Sequence, residues 1–187
     1  LAARLEDAEA EVREAAALAL GRADAAVLAP FAAALAARLS DAESEVRQAA
    51  CDAMARLGPV EASPHAEALA ARLQDVDHEV SFHAVQAFWT LGTGFAAPHT
   101  EAIARLLGHQ SSIARAGAYM CLKSLAEHFP EEVALHVFAA LSAARLEDAL
   151  VGEIAALALG RIAQSEAEAA RGHPAEGHDA ETEQARG

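Results

Sequence analysis

Aromatic residues are scarce in this sequence. They make up 4% of its 187 residues, with one Trp and one Tyr, whereas 53 residues are alanine. Strands are enriched in aromatic and β-branched residues, while alanine is the strongest helix former. The composition therefore argues against a β-sandwich, a barrel or a parallel-sheet enzyme, and it predicts an all-α fold.

Cysteine, positive charge and long apolar runs are also in short supply. Two cysteines, Cys51 and Cys121, are too few for a disulfide scaffold, which favours a reducing compartment such as the cytoplasm. Lys and Arg total 14 against 28 Asp and Glu, and the net charge of −14 argues against non-specific binding to nucleic acid or anionic membranes. No run approaches the roughly 18 uncharged apolar residues of a membrane span, so no membrane insertion is expected.

A 34-residue repeat dominates what is present. The segments LAARLEDAEAEVREAAALALGR, LAARLSDAESEVRQAACDAMARLG and LAARLQDVDHEVSFHAVQAFWTLG begin at Leu1, Leu35 and Leu69. A fourth copy begins at Ile103 and aligns with one residue missing before Ile113, and a fifth ends near Ala163. Such a period is typical of stacked helix pairs. Because Leu1 falls inside a helix of the first copy, we expect the sequence to be a fragment.

Each repeat is predicted to contain a helix A, a short acidic turn and a longer helix B. In the third copy these helices lie at about 64–73 and 79–91. Proline is expected in the first turn of helix A, where its missing N–H costs nothing; it recurs as Pro30, Pro64 and Pro98. Helix B carries an apolar stripe at i, i+4, i+7 and i+8, which predicts the core. This stripe is Val12, Ala16, Ala19, Leu20, then Val46, Ala50, Ala53, Met54, then Val80, Ala84, Ala87, Phe88.

The pattern resembles the HEAT-repeat family, with leucines in helix A, an Asp in the turn, Val-Arg at the start of helix B and an "ALG" ending. The resemblance implies a right-handed α-solenoid of about five helix pairs, the first truncated. It also implies a ladder of turn Asp and helix B Arg residues, here Asp7, Arg13, Asp41, Arg47 and Asp75. Ser81, Ala114 and Gly152 take the Arg position in later copies, so the ladder should weaken there.

The expected domain organisation follows the repeats. The HEAT-like domain covers 1–163, with repeats at about 1–23, 24–58, 59–92, 93–126 and 127–163. Residues 164–187 form an acidic tail without large apolar side chains, which is expected to be disordered.

A candidate binding patch lies on helix B residues that face away from the core stripe. In α-solenoids the B helices usually line the concave surface. The patch comprises Phe82, Gln86, Trp89, Arg115 and Tyr119, so the single Trp and single Tyr fall on neighbouring helices. Aromatics and Arg dominate interface hot spots. Two alternatives stay open: Trp89 fills a packing gap, or the patch holds a small ligand.

Two sets of basic residues have two interpretations each. One set ends successive B helices: Arg22, Arg56, Lys123 and Arg161, interrupted by Thr90. The other set ends the A helices: Arg4, Arg38 and Arg72. Cations at these ends complement the helix dipole. The alternative is a basic rib that meets an acidic partner or a phosphate.

Motifs for catalysis, metal or cofactor binding are absent, so we predict no enzyme, metal or cofactor. Deoxyhypusine hydroxylases are HEAT-like proteins with repeated His-Glu pairs, but this chain has one such pair, His78-Glu79. His83 borders the core and is expected to pack there rather than act as a ligand. Both cysteines take core positions. No dinucleotide, phosphate-loop or nucleophile motif occurs.

The predicted function is a non-catalytic protein-interaction scaffold or adaptor, within a larger solenoid or complex. Its partner would be a helix or peptide, with a basic partner favoured by the acidic surface. The main alternative is a chaperone-like lyase for bilin pigments, since short HEAT-like repeats occur in that class and Arg115 could pair with a propionate. A purely structural spacer is the third hypothesis.

Overall fold

The computed structural model describes residues 2–144 and 149–172, and within these ranges all regular structure is helical. The α-helices are α1 (Ala10–Gly21), α2 (Ala25–Leu28), α3 (Ala32–Arg38), α4 (Ser44–Leu57), α5 (Pro59–Ala62), α6 (Ala66–Ala70), α7 (His78–Leu91), α8 (Thr93–Ala96), α9 (Thr100–Arg105), α10 (Ser112–Ala126), α11 (Pro130–Ala144) and α12 (Ala149–Gly172). Short 3₁₀ turns lie at Ala2–Glu6, Ala29–Phe31, Ser63–His65, Ala71–Gln74, Ala97–His99 and Leu106–Gly108.

The B helices are α1, α4, α7, α10 and α12, and each packs against the next along the chain. The A segments lie between them and cover one side of the stack, as α3 does on α4 and α11 on α12. This is an all-α solenoid, as the 34-residue period predicts. None of the described helices is long and apolar enough to cross a membrane.

The turns before α1, α4 and α7 are built alike. In each, an aspartate carboxylate accepts the backbone N–H two residues ahead, which stabilises the turn. The pairs are Asp7 with Glu9 at 3.2 Å, Asp41 with Glu43 at 3.2 Å and Asp75 with Asp77 at 3.0 Å. At the other end, α4 and α7 stop at Gly58 and Gly92, whose φ angles of 87° and 94° favour glycine.

As predicted, Pro30, Pro64 and Pro98 lie in the turns that lead directly into the main part of helix A, which is α3, α6 or α9. These turns are 3₁₀, however, and a short α-helix that was not predicted precedes each of them: α2, α5 and α8. Proline removes an N–H donor and crowds the preceding turn. Helix A is therefore divided into a leading turn and a main helix.

The predicted core stripe is confirmed in α4 and α7, where all eight residues are buried. In α1, Val12 is half-buried and Ala19 is exposed. Ala53, one repeat after Ala19, faces the preceding B helix: a Cβ on Gly21 would lie 3.4 Å from its Cα. Ala19 is exposed because α1 has no B helix before it in the described chain.

The fourth repeat is also in a different register from the predicted one. Ile113, expected in the core, is 46% exposed, whereas Ala114 is fully buried. No residue is missing, because Ala114 stands 34 positions after Val80 and Arg115 stands 34 after Ser81. The expected gap before Ile113 is an error, caused by preferring a large apolar residue to alanine at a core position.

In the C-terminal part, α11 spans Pro130–Ala144 within the expected fifth repeat. Helix α12, however, continues to Gly172, past the boundary expected after residue 163. The rest of the expected acidic tail, residues 173–187, lies outside the described residues.

Candidate binding surface

A groove of about 250 Å³ lies between α7 and α10, on the sides of these helices that face away from the core. We term it the apolar groove. Its lining is Phe82, Gln86, Trp89, Ile113, Ala116, Gly117 and Met120. Trp89, Ile113 and Met120 are 50%, 46% and 47% exposed. Adjacent large apolar side chains that remain exposed mark interaction sites.

Helical spacing and small residues create this groove. Phe82, Gln86 and Trp89 recur at i, i+4 and i+7, so they share one face of α7. On α10, Gly117 allows a close approach, because a Cβ there would lie 2.6 Å from Val85 Cγ1. Because Ala116 has a small side chain and Gly117 has none, the floor of the groove is recessed between the larger side chains that line it.

Three of the five predicted patch residues line the groove, and Arg115 and Tyr119 do not. Arg115 Nη1 donates to the carbonyl oxygens of His109 and Gln110, at 2.8 and 2.9 Å. Tyr119 packs against the core, and its hydroxyl accepts a hydrogen bond from Lys123 Nζ at 3.4 Å. The groove lining contains no cation, so the bilin hypothesis loses the propionate partner that it assigned to Arg115.

The register of the fourth repeat explains this difference. With the 34-residue spacing kept, Tyr119 aligns with Ala17, Cys51 and Val85, which are all buried. Met120 then aligns with Leu18, Asp52 and Gln86 on the outward face. Sequence analysis missed Ile113 and Met120 as groove residues, although an uninterrupted period would have placed both there.

A ladder of ion pairs joins the first three B-helix turns. Arg13 Nη2 lies 2.7 Å from Asp41 Oδ1 and its Nε 2.9 Å from Oδ2. Arg47 pairs with Asp75 in the same way, at 2.7 and 3.0 Å. Two-point contacts between guanidinium and carboxylate are the stronger kind of ion pair.

The A-helix arginines join the same carboxylates. Arg4, Arg38 and Arg72 each contact the aspartate three residues ahead, at 2.8, 3.4 and 3.0 Å. The hydrogen bond from Arg13 holds the pKa of Asp41 below its usual value. Burial alone would raise the pKa of Asp75, but hydrogen bonds from Arg47 and the Asp77 amide keep it lowered.

The ladder stops at the fourth turn. Ser81 takes the Arg position and donates from Oγ to the Asp75 carbonyl at 3.3 Å. His109 takes the Asp position, and its Nδ1 accepts the Ser111 N–H at 3.2 Å. Burial, together with the charges of His78 and Arg115, lowers the pKa of His109. A neutral imidazole therefore replaces the carboxylate in holding the turn.

A second groove, of about 430 Å³, crosses α1, α4 and α7, and we term it the polar cleft. Its lining includes Arg22, Asp52, Arg56, Gln86 and Thr90. Gln86 lines both grooves, so they adjoin. Arg22 and Arg56 are exposed, and neither guanidinium has a hydrogen bond or ion pair within the described part of the chain.

His83 lies beside the polar cleft and contacts Asp52 across the α4–α7 interface. Its Nδ1 is 2.7 Å from Asp52 Oδ1. This contact raises the pKa of His83 despite partial burial, and the charge of Glu79 adds a smaller effect in the same direction. His83 is thus charged over a wider pH range than a free imidazole.

We expect His83 to titrate above its ordinary pKa of 6.5. Because the folded-state pKa is raised, the contribution to stability is complete below the unfolded pKa and is lost as pH rises through the folded one. NMR titration of the imidazole signals checks this, with Asp52→Asn as the comparison. A wild-type pKa at or below 6.5, or one unchanged by Asp52→Asn, would contradict the assignment.

The described residues contain no group of three or more His, Cys, Asp or Glu side chains placed to hold a metal ion. Cys51 and Cys121 are both buried, and burial raises the pKa of Cys121 to about 12 and that of Cys51 further. A thiol needs a lowered pKa to act as a nucleophile near neutral pH. These two cysteines are core residues.

Comparison with known proteins agrees with this architecture. A family model described as HEAT repeats matches residues 1–89. No curated protein matches the sequence.

Two of the solved structures with a similar fold are engineered or designed proteins. One, described as an engineered protein from a structural genomics consortium, has a TM-score of 0.66 and 22% identity, covering 87% of this chain and 78% of its own. A designed armadillo repeat protein in complex with the peptide (KR)4 has a TM-score of 0.64 and 20% identity, covering 85% and 79%. At these identities the likeness concerns the fold.

Proposed function

We propose that this chain, whose residues 1–89 match a family model of HEAT repeats, is a non-catalytic scaffold that binds a peptide segment of a partner protein across its B helices. The apolar groove would receive the main anchor, a large apolar side chain of the partner. The observation that carries the proposal is the exposure of Trp89, Ile113 and Met120 around one groove.

The energetics favour an anchor at this groove over the rest of the face. Trp is among the residues that dominate binding energy when they become desolvated in an interface. Trp89 is half-exposed, so it still has surface to bury against a partner.

Peptide binding on such a stack has a precedent in the designed armadillo repeat protein, which was solved with a bound peptide. Repeat proteins present extended surfaces that suit long, narrow ligands. Here the polar cleft and the apolar groove adjoin through Gln86 and cross α1, α4, α7 and α10. That continuous track supports a peptide segment over a compact small ligand.

The test begins with a random-sequence peptide display library panned against the full chain. Selected peptides are then titrated while tryptophan fluorescence is recorded, because Trp89 is the single Trp. We expect the wild-type emission to shift on binding. Isothermal titration calorimetry, which does not depend on a Trp signal, should show that Trp89→Ala weakens binding at least about 30-fold, as for a hot-spot residue worth about 2 kcal/mol.

The control is Leu135→Ala, which removes an apolar side chain 67% exposed on α11, away from the groove. It should leave peptide affinity unchanged. Thermal unfolding of both variants separates binding from packing. If Trp89→Ala retains affinity, or loses it only in proportion to the unfolded fraction, Trp89 is a packing residue and the proposal fails.

A further inference from the structure

We infer that the partner segment carries acidic side chains beside its apolar anchor, and that these bind Arg22 and Arg56 in the polar cleft. The inference rests on the proposed function, because it concerns the same partner. It adds the charge and the spacing of the segment that would bind.

The guanidinium groups of Arg22 and Arg56 are available to bind a carboxylate of the partner. Both are exposed, both line the polar cleft, and neither pairs with a carboxylate within the described part of the chain. Arg13 and Arg47 differ, because Asp41 and Asp75 occupy their guanidinium groups. Asp52 also lines the cleft, but His83 contacts it at 2.7 Å and offsets its charge when protonated.

Negative charge at the N-terminal ends of the B helices limits where the acidic side chains of the partner can lie. Glu11, Glu45 and Glu79 are exposed at the N-terminal ends of α1, α4 and α7. Along α4, Glu45 and Arg56 are eleven residues apart, which is about 16 Å at the usual helical rise. A partner carboxylate would be repelled at the glutamate edge and attracted at the arginine edge.

The stacking of the helices sets the spacing. Packed helices lie about 8–10 Å apart, and an extended chain advances about 3.3–3.6 Å per residue. Arg56 on α4 is about one and a half helix spacings from the apolar groove, and Arg22 on α1 is about two and a half. The acidic residues should therefore lie about four and about seven residues from the apolar anchor.

A second role for these arginines is to complement the helix dipole, since Arg56 is in the last turn of α4 and Arg22 follows α1. The two roles predict different effects of a substitution at Thr90. Arg22, Arg56 and Thr90 are 34 residues apart and form one column of equivalent positions along the stack. Thr90→Arg would strengthen binding of an acidic segment if the column is a binding surface. It would only stabilise α7 if the column serves the dipole.

The experiment uses peptides from the display selection and the full-length chain. We expect selected sequences to show acidic residues at the stated distances from an apolar residue. Affinity should fall roughly tenfold in Arg22→Glu/Arg56→Glu, fall about fivefold in Arg56→Glu and rise about threefold in Thr90→Arg. Added salt should weaken wild-type binding more than binding by the double variant.

Arg105→Glu is the matched control, because it makes the same charge change on α9, at an exposed residue that pairs with Glu101. It should leave affinity within about twofold of wild type.

Peptides that need Trp89 but lack acidic residues, or that bind Arg56→Glu and Thr90→Arg as they bind wild type, would overturn this inference and leave the scaffold function intact. If selection instead yields basic peptides such as (KR)4, the inference is also wrong. Peptides insensitive to Trp89→Ala would overturn the proposed function itself.

Discussion

Arg47→Ala should lower the free energy of unfolding by about 3 kcal/mol, because it removes the two-point partner of a buried carboxylate and leaves Asp75 with the one-point contact to Arg72. The side chains of Arg47 and Asp75 are 8% and 3% exposed. The substitution also removes the donors to the carbonyl oxygens of Asp41 and Ala42, at 3.0 and 2.9 Å. Urea unfolding followed by circular dichroism measures the change.

Arg105→Ala provides the control for this prediction. Arg105 forms a surface pair with Glu101 in which both side chains are more than half exposed. Exposed pairs of this kind contribute about 0–1 kcal/mol. If the two alanine variants unfold at the same urea concentration, the ladder does not stabilise the solenoid beyond an ordinary surface pair.

The pH dependence of the same variant tests the cause. The pKa of Asp75 is lowered, so the stability it contributes is present above the unfolded pKa of about 3.9 and is lost as pH falls through the folded pKa. Without Arg47, the Asp77 amide and Arg72 still lower the pKa of Asp75, but burial opposes them, so this pKa should be higher than in wild type. The gap between wild type and Arg47→Ala should therefore be largest near neutral pH and shrink below about pH 4.

Sequence periodicity was sufficient to predict the solenoid and the core of its central repeats. Val46, Met54, Val80 and Phe88 are all fully buried. These positions are predictable because each B helix buries the same stripe against its neighbours, so every copy repeats one environment. At the first repeat that environment is incomplete, which is why Ala19 is exposed.

The candidate groove was only partly predictable. Phe82 and Trp89 could be placed from helical spacing alone, since both belong to one helix. The α10 side depends on register, and alanine at position 114 gives a weaker apolar signal than Ile113 beside it. A single error in alignment therefore moved Tyr119 onto the surface and Ile113 into the core.

Interactions between repeats are harder still to derive from a pattern. The Arg-Asp ladder could be inferred from the family resemblance, but the substitution of His109 for its carboxylate depends on a local hydrogen bond to Ser111. Likewise, the contact of His83 with Asp52 joins residues on two helices. The sequence shows each residue but contains no periodic signal for the pair.

The close approach of α7 and α10 leads to the second large effect. Gly117→Val should destabilise the fold by about 3 kcal/mol, since adding volume to a packed interface forces neighbouring side chains out of position. The new Cβ would meet Val85 Cγ1 at 2.6 Å and Phe82 Cδ2 at 3.7 Å. Val85 is fully buried and β-branched, so it has little freedom to turn away. Thermal and urea unfolding measure the loss.

Two comparisons show whether that loss comes from the contact or from helix propensity. Gly160→Val places the same residue in α12, where an added Cβ meets nothing within 4 Å, and its stability should change by less than about 0.5 kcal/mol. Val85→Ala combined with Gly117→Ala removes the opposing methyl group and should be more stable than Gly117→Ala alone. If Gly160→Val is as destabilised as Gly117→Val, β-branching in the helix is the cause. If the contact is the cause, the absence of a side chain at Gly117 both lets α7 pack closely against α10 and keeps the floor of the apolar groove open. Folding and the proposed peptide binding would then depend on the same residue.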